Sequence, residues 1–493
     1  MTTYSVALST LTHRELAAHL LREDRQEDLC FAVWHPGRGR SRTTAIVSTV
    51  LLPTDGERRV HGNVTFLPRF FERAIAEARR AKGGVAFFHS HPGPGWQNMS
   101  HDDIVAEQSH APPVYGATGL PLVGLTLGTD GAWSARFWER AAPRTYQRKW
   151  CSHVRVVGEQ LAVTYHDTLL PPPGFREVLR RTVSAWGKKA QADLSRLTIG
   201  VVGSGSVGAI VAEALARTGI SRLKLIDFDS VEEINLDRLL HATVKDIARA
   251  KVAVLGRALQ LSATAANFSV EEIEYSVTEN DGYRAALDCD VLFSCVDRPW
   301  PRQVLNFIAY THLIPVVDGG IRVTVKPETK MLRHADWRAH VACPGRPCLE
   351  CLKQFDPGLV QVERDGHLDD PRYIEGLPVD HELRRNENVF AFSLSLASFE
   401  VLQMLMMVIA PSCIPDPGPQ WYRFVPGILD PPKREGCNAD CLYSNVFANL
   451  GDSADVTVTG RHIGAENARR ARASHSRPHW RRFLDRITRA TQA

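Results

Sequence analysis

LTIGVVGSGSVGAIVAEALARTGISRLKLIDFD, residues 197–229, decides the fold of the larger part of this chain. Two apolar runs, 197–202 and 223–227, flank a glycine-bearing turn and a helical stretch over 207–218 that Gly219 ends. Apolar runs without alternation read as strands covered on both faces, and a strand–helix–strand order makes those strands parallel. Further apolar runs at 291–296 and 314–318 continue the alternation. The expected class is therefore α/β, with a parallel sheet and helices on both faces. The turn Gly203-Ser204-Gly205-Ser206-Val207-Gly208 fits G-x-G-x-x-G between a strand and a helix, the spacing that lets the backbone approach a phosphate. Gly203, Gly205 and Gly208 then form a nucleotide loop, and Asp227 ends the second strand where a ribose hydroxyl would bind.

On that loop alone the chain would read as an NAD-dependent oxidoreductase of Rossmann type, and the residues beyond Asp227 change the reading. Asp227-Phe228-Asp229-Ser230-Val231 leads to Asn235-Leu236-Asp237-Arg238 and then to Lys251. Hydride transfer has no use for an arginine and a lysine aimed at phosphates. Attack on the α-phosphorus of a triphosphate does, because charge builds on the leaving pyrophosphate. The string G-x-G-x-x-G, D-x-D-x-V-x(3)-N-L-x-R and a following lysine resembles the ThiF/MoeB/ubiquitin-activating superfamily, over residues 176–445. That resemblance implies a Rossmann-like domain that uses ATP and Mg2+ to adenylate the terminal glycine of a ubiquitin-like protein. It implies that Asp227 and Asp229 serve the nucleotide and that Asn235, Arg238 and Lys251 contact its phosphates. Asp297, in Ser294-Cys295-Val296-Asp297-Arg298, would hold magnesium. Arg181, beside Arg180, resembles the arginine a second subunit reaches into the site, which would make the protein a homodimer. Two positions depart from the pattern: Ser206-Val207 and Ala248 stand where further glycines are common.

Residues 1–145 form a separate unit of mixed α+β character. Strands are expected over 29–34, 44–52, 85–89, 120–127 and 132–138, with a helix over 68–82 that begins at a proline and is followed by Gly83-Gly84. His89-Ser90-His91-Pro92 and Ser100-His101-Asp102-Asp103 are its densest chemistry. Residues two apart on a strand share a face, so His89 and His91 can present both imidazoles to one ion. A carboxylate from the next element would complete three protein ligands and leave a fourth position open, as in a catalytic zinc site. The whole string H-S-H-P-x(7)-S-x-x-D resembles the JAMM signature of the MPN/JAB metalloproteases, which cleave peptide or isopeptide bonds after ubiquitin-like modifiers. Carried over, the resemblance makes His89, His91 and Asp103 ligands of Zn2+ and Ser100 a stabiliser of the tetrahedral intermediate. Its catalytic glutamate would be Glu27, just before the strand at 29, with Glu23 the poorer fit. Asp102 competes with Asp103 for the ligand role.

Cys348-x2-Cys351 and Cys437-x3-Cys441 are two close pairs whose four thiolates would make a closed, structural zinc site. Cys343 is the candidate for a thioester nucleophile, although no base lies near it in sequence. Cys30, Cys289, Cys295 and Cys413 lie in apolar runs and read as core residues.

The length of 493 residues predicts about three folded units. A composition of 44% hydrophobic and 23% charged residues excludes a globally disordered chain. Pro171-Pro172-Pro173-Gly174 marks residues 146–175 as a linker. Seven prolines make 411–432 irregular, and 446–493 reads as a basic tail with nine arginines against two acids after residue 460. The net charge of +4 argues against nucleic acid as the main partner. The apolar stretch 389–410 carries Glu400, which favours a buried helix over a membrane span. With no export signal at its start, the chain is expected to be cytoplasmic. The expected partner is a ubiquitin-like modifier or a sulfur-carrier protein, with a ubiquitin-conjugating-type protein as a further acceptor. A non-catalytic scaffold is the remaining alternative.

Overall fold

The residues that lead to and include the first of the two histidines, Gly84–Ser90, are buried along their whole length because they form an inner strand of a large sheet, and the second, His91, follows directly after it. The computed structural model describes residues 2–475 apart from 62, 327, 330, 377–386, 410–417 and 431–435. The first unit contains β1 (Thr3–Ser9), β2 (Leu29–Arg38), β3 (Arg42–Leu51), β4 (Arg58–His61), β5 (Asn63–Phe66), β6 (Gly84–Ser90), β7 (Leu122–Leu127), β8 (Trp133–Ala142), β9 (Thr145–Trp150), β10 (His153–Val157) and β11 (Leu161–Tyr165). Its helices are α1 (Thr10–Leu20), α2 (Pro68–Arg80) and α3 (His101–Thr118). The sheet order is β11-β10-β1-β3-β2-β6-β7-β8-β9, and β4-β5 is a separate ribbon. Helix α2 starts on a proline and buries Phe70, Ala74 and Ala78, one residue per turn.

The second unit contains β12 (Thr198–Val202), β13 (Arg222–Ile226), β14 (Ser269–Ile273), β15 (Val291–Ser294), β16 (Val316–Val325), β17 (Leu332–Ala342), β18 (Gln420–Arg423) and β19 (Ile428–Asp430). Its helices are α4 (Arg180–Arg196), α5 (Ser206–Thr218), α6 (Lys251–Ser262), α7 (Asn280–Ala286), α8 (Pro299–Thr311), α9 (Pro357–Arg364), α10 (Pro371–Gly376), α11 (Phe390–Ile409), α12 (Leu442–Asn445) and α13 (Ile463–His475). The sheet runs β14-β13-β12-β15-β16-β17-β18-β19. Its first five strands are parallel, as the 197–229 stretch predicts, and β17 to β19 extend it antiparallel. Strand order reverses between β12 and β15, which opens a crevice at their carboxyl ends.

Two expectations are corrected. Residues 146–175 are not a linker throughout. Strand β10 pairs in parallel with β1, and β11 closes on β10, because β1 would otherwise offer an unpaired edge. Only the proline stretch after Tyr165 is irregular. Residues 446–475 are not a free tail: Asp452 accepts from the Arg38 amide at 3.0 Å and α13 docks on the second unit. Residues 476–493, with the rest of the basic segment, lie outside the described residues, as do Cys413 and much of 411–432. The 389–410 stretch forms α11, long and apolar enough to cross a membrane. Its inward face, with Leu396, Ala397, Glu400 and Met404, is buried against the second sheet and α5.

The two units share a core. Ala7, Ile46, Val157 and Leu161 of the first pack in one apolar cluster with Leu194, Leu197 and Val341 of the second. Across the same junction, Asp290 is 1% exposed and accepts from Arg42 at 2.6 Å, Arg155 at 2.7 Å and the Thr198 amide at 2.9 Å, with His153 at 3.0 Å. Burial alone would raise this carboxyl, but Arg42, His153 and Arg155 hold it well below the carboxylate range.

Candidate active sites

The glycine loop joins β12 to α5. Gly203 has φ +91°, a left-handed conformation that glycine adopts freely, and Gly205 caps α5. A Cβ on Gly208 would strike the Gly203 carbonyl, so the third glycine is needed for the close packing of helix and strand. The hydroxyls of Ser204 and Ser206 are buried without a hydrogen-bond partner among the described residues. Buried hydroxyls are normally satisfied, so this cradle fits a phosphate. In sequence these serines occupy unspecified positions of the motif, and nothing there singled them out.

Asp227, 9% exposed, accepts from the Ser204 amide at 2.6 Å and the Asp229 amide at 2.8 Å. Burial and the Asp229 charge push its carboxyl up to about 6, against the pull of Lys251. The Lys251 ammonium donates to Asp229 at 2.8 Å. Burial opposes the ammonium charge, but Asp227, Asp229 and Asp297 outweigh it and raise Lys251 above the usual lysine value. Asp297 is exposed just beyond β15, beside the crevice. The structure thus brings Gly203, Gly205, Gly208, Asp227, Asp229, Lys251 and Asp297 to one end of the second sheet.

Asn235 and Arg238 follow on a short helical turn. Asn235 accepts from the Glu232 amide at 3.1 Å, and Arg238 donates to the Ile234 carbonyl at 2.7 Å and to Asp237 at 2.8 Å. Both side chains are spent locally and must turn to meet a phosphate. Arg181 is exposed in the first turn of α4. Leu179, just before α4, packs at the Gly219 end of α5, which is opposite to the glycine loop. Arg181 is therefore not part of its own chain's site.

ATP affinity is expected to fall as pH drops through about 6, approaching ten-fold per pH unit, because a protonated Asp227 no longer accepts fully from a ribose hydroxyl. The stability of the unliganded chain runs the other way. A carboxyl raised by folding contributes stability below its unfolded value, which is lost as pH rises through about 6. Calorimetric ATP titrations from about pH 5 to about pH 8 should show this slope in the wild type and a flat profile in Asp227→Asn.

In the first unit, His89 Nε2 lies 3.1 Å from His91 Nε2 and 3.5 Å from Asp103 Oδ1, and His91 Nε2 lies 3.3 Å from Asp103 Oδ2. Asp102 is exposed and outside this group, so of the two aspartates it is Asp103 that lies with the histidines. Ser100 caps α3, its Oγ accepting from the Asp103 amide at 3.1 Å while its own amide donates to Asp103 at 2.7 Å. The capping box explains the S-x-x-D spacing: it fixes the carboxylate that faces the histidines. Two imidazoles and a carboxylate within one ligand radius fit zinc.

Leu29 pairs with His89, and the Ser90 amide donates to the Asp28 carbonyl at 3.1 Å, which brings the chain just after Glu27 alongside the first histidine. Glu27 lies two residues before the first pair of that ladder, on the approach to the strand beside His89. Asp28, one residue on, is held instead by Arg58 at 2.6 and 2.8 Å. Sequence reasoning missed a polar group at the edge of the trio, on the same His89 nitrogen that faces His91 and Asp103. Thr126 Oγ1 lies 3.3 Å from its Nε2, Arg136 donates to Thr126 at 2.6 Å, and Glu107 takes hydrogen bonds from Arg136 and from Trp138 at 2.7 Å. The signal was present in the four-residue step from Asp103 to Glu107, one turn along the same face of α3.

The four cysteines Cys348, Cys351, Cys437 and Cys441 converge with all sulfurs within 4.8 Å, as the two sequence pairs predict. Amides of Cys348, Cys351 and Asn438 donate to sulfurs of the set at 3.2, 3.3 and 3.4 Å. Hydrogen bonds from Cys348 pull Cys437 down to about 5, while Cys348 itself is pushed well above the usual thiol value and burial raises Cys351 to about 11, so one thiolate is shared within the set; four sulfurs this close fit a structural zinc, whose charge would release the remaining protons. Cys343 is different from its expected role. It is 0% exposed and its thiol donates to the Gly158 carbonyl at 3.1 Å across the junction of the units. A thioester nucleophile must meet its substrate, and this thiol is sealed in an interface. Cys30, Cys289 and Cys295 are in the core or at its margin, as expected.

Residues 179–406 match the model of the ThiF family. With the parallel sheet, the glycine loop and the Asp227–Asp229–Lys251 group, this defines the second unit as a ThiF/MoeB-type, E1-like adenylation domain. Among curated proteins, the chain is 26% identical over 359 residues to tRNA threonylcarbamoyladenosine dehydratase 2 of Saccharomyces cerevisiae, covering 70% of this chain and 77% of that protein. It is 27% identical over 176 residues to the SAMP-activating enzyme E1 of Haloferax volcanii, covering 35% of this chain and 60% of that protein. Among solved structures, Escherichia coli MccB with MccA-N7isoASN superposes with a TM-score of 0.41 at 18% identity, over 55% of this chain and 75% of that one.

Proposed function

We propose that this chain is a two-site enzyme acting on the carboxyl-terminal tail of a ubiquitin-like or sulfur-carrier protein. The Lys251–Asp229 pair beside Asp227 at the mouth of the glycine loop carries this reading, because it gathers the charges adenylation needs in a ThiF-type domain. A carboxylate oxygen of the tail attacks the α-phosphorus of ATP, the bond to the bridging oxygen breaks, and pyrophosphate leaves. Asp227 orients the ribose, the serine hydroxyls and loop amides hold the phosphates, and Lys251 offsets the charge that grows on the leaving group. Asp297 would hold Mg2+, which would supply further neutralisation of the phosphates.

In the first unit, His89, His91 and Asp103 would hold Zn2+, which would polarise the scissile carbonyl after the tail's glycine. Glu27 would take the proton from the attacking water and pass it to the leaving amine, and Ser100 would donate to the developing oxyanion. The fusion has a physical rationale, since both sites would take the same tail and linkage keeps it at high effective concentration. The reading includes a cytoplasmic homodimer in which Arg181 serves the other subunit's nucleotide, and residues 1–165 as a JAMM-type domain.

A second reading is favoured by the extent of the dehydratase match. A threonylcarbamoyl group also ends in a carboxylate, so the same adenylation step would activate it on a tRNA for loss of water. The nicotinamide alternative gives no role to Lys251 and is set aside.

The test is ATP–pyrophosphate exchange with modifiers ending in glycine and with modified tRNA as separate arms. Exchange should appear in one arm and fall about a hundred-fold or more in Asp297→Ala. Exchange in the tRNA arm alone would overturn the protein-tail reading, and no exchange in either would overturn adenylation. Cleavage of a modifier fusion should stop with a chelator and in His89→Ala, and persistence of cleavage in both would remove the zinc assignment.

A further inference from the structure

The segment that reads as a basic tail lies against the loop that carries the two nucleotide acids. Val458 accepts from the Trp300 indole at 2.8 Å, and the Gly460 amide donates to the Thr278 carbonyl at 2.8 Å. The His462 ring stacks on Trp300 with an interplanar angle of 1° and lies 4.7 Å from the Phe228 ring. Helix α13 follows. Arg469 donates to Glu279 at 2.9 Å, and Arg472 Nε donates to Glu274 at 2.9 Å. Arg472 Nη1 then donates to the Phe228 carbonyl at 2.7 Å and to the Ser230 hydroxyl at 2.9 Å. Phe228 and Ser230 are the neighbours of Asp229, whose carboxylate holds Lys251. Arg472 is 12% exposed on its side chain, and its Nη2 is buried without a partner among the described residues.

We infer that Arg472 is a positioning residue for the nucleotide site: its guanidinium, bridging the Phe228 carbonyl and the Ser230 hydroxyl, fixes the loop that aims Asp227, Asp229 and Lys251 at ATP. The inference rests on the adenylation reading and extends it to a C-terminal segment outside the ThiF-matched residues. One planar cation meets three acceptors on two elements, a geometry that a lysine cannot reproduce. Backbone bonds tie the loop to the start of α6, with the Val231 and Lys251 amides donating to the Arg249 and Asp229 carbonyls at 2.8 and 3.0 Å, and to β14, with the Asp227 amide donating to the Ile273 carbonyl at 3.1 Å; Arg472 adds the side-chain clamp from a separate element. Docking of α13 and binding of nucleotide are therefore linked, and each should strengthen the other.

The experiment is calorimetric ATP binding to the full chain, wild type against Arg472→Ala, Arg472→Lys and the control Arg470→Ala, whose side chain is 73% exposed. Both Arg472 variants should raise the ATP Kd about ten-fold, and the control should leave it unchanged. In the wild type, a non-hydrolysable ATP analogue should slow tryptic cleavage within α13. An Arg472→Ala protein that melts earlier but binds ATP within about two-fold of wild type would show a merely structural role and overturn the inference. A wild-type chain that binds no ATP would overturn the adenylation reading instead.

Discussion

Lys251→Ala is expected to lower ATP–pyrophosphate exchange at saturating ATP by about a thousand-fold while leaving the fold intact. The ammonium is 13% exposed and is the cation drawn to Asp227, Asp229 and Asp297 together. Its backbone is held independently, the Lys251 amide donating to the Asp229 carbonyl at 3.0 Å in the first turn of α6. Truncation leaves only Asp229 unpaired, and that carboxylate is 47% exposed, so water replaces the lost partner. A second readout separates this electrostatic role from a packing role. Lys251 pulls Asp227 down, so its removal should move the acid limb of ATP binding to higher pH. Exchange retained within about three-fold, with an unmoved pH profile, would refute the assignment.

Asp290→Ala should destabilise the chain by about 3–5 kcal/mol, because it strands Arg42 and Arg155 as buried cations. A matching cut at the rim, Arg38→Ala, should cost at most about 1 kcal/mol, since that side chain is 55% exposed in its pair with Asp452. Denaturant unfolding of both variants checks the contrast, and equal losses would contradict it. Acid should act on the same junction. Asp290 is held below its ordinary range, and burial lowers His153 to about 4, so folding disfavours protonation of both. The His153 contribution is present above the unfolded histidine value and is lost as pH falls towards about 4, whereas the Asp290 contribution is present above the unfolded carboxylate value and is lost only at still lower pH. A wild-type stability that rises in that acid window would be the contrary result.

The parallel half of the second sheet was legible because its signals are local: an unbroken apolar run, three glycines and an acid at a strand end. The convergence of His89, His91 and Asp103 was legible for the same reason, since His89-x-His91 and the Ser100-x-x-Asp103 cap each lie within a turn or two of chain. What escaped was set by distant pairing. Strands β10 and β11 look like a connection until β1, some 150 residues earlier, is seen to need a neighbour. Arg472 read as a surplus charge because its partners, Glu274 and Phe228, are about 200 residues away and chemically unremarkable in sequence. Cys343 carried the opposite lesson. A cysteine beside Pro-Gly looks exposed, and only the fold shows that Gly158 covers it.

The apolar cluster shared by Ala7, Ile46, Val157 and Leu161 with the second sheet governs how material could move between the centres. A hinge needs a junction that can open cheaply, and this one is sealed by apolar packing and two buried arginines. The centres therefore keep a constant separation, and none of the described residues ferries a tail from one to the other. On the two-site reading proposed above, the travelling element would be the substrate's own flexible end, released by one mouth and caught by the other. The length of that end then becomes a selection rule: a modifier whose tail is too short to bridge the fixed gap must let go and rebind.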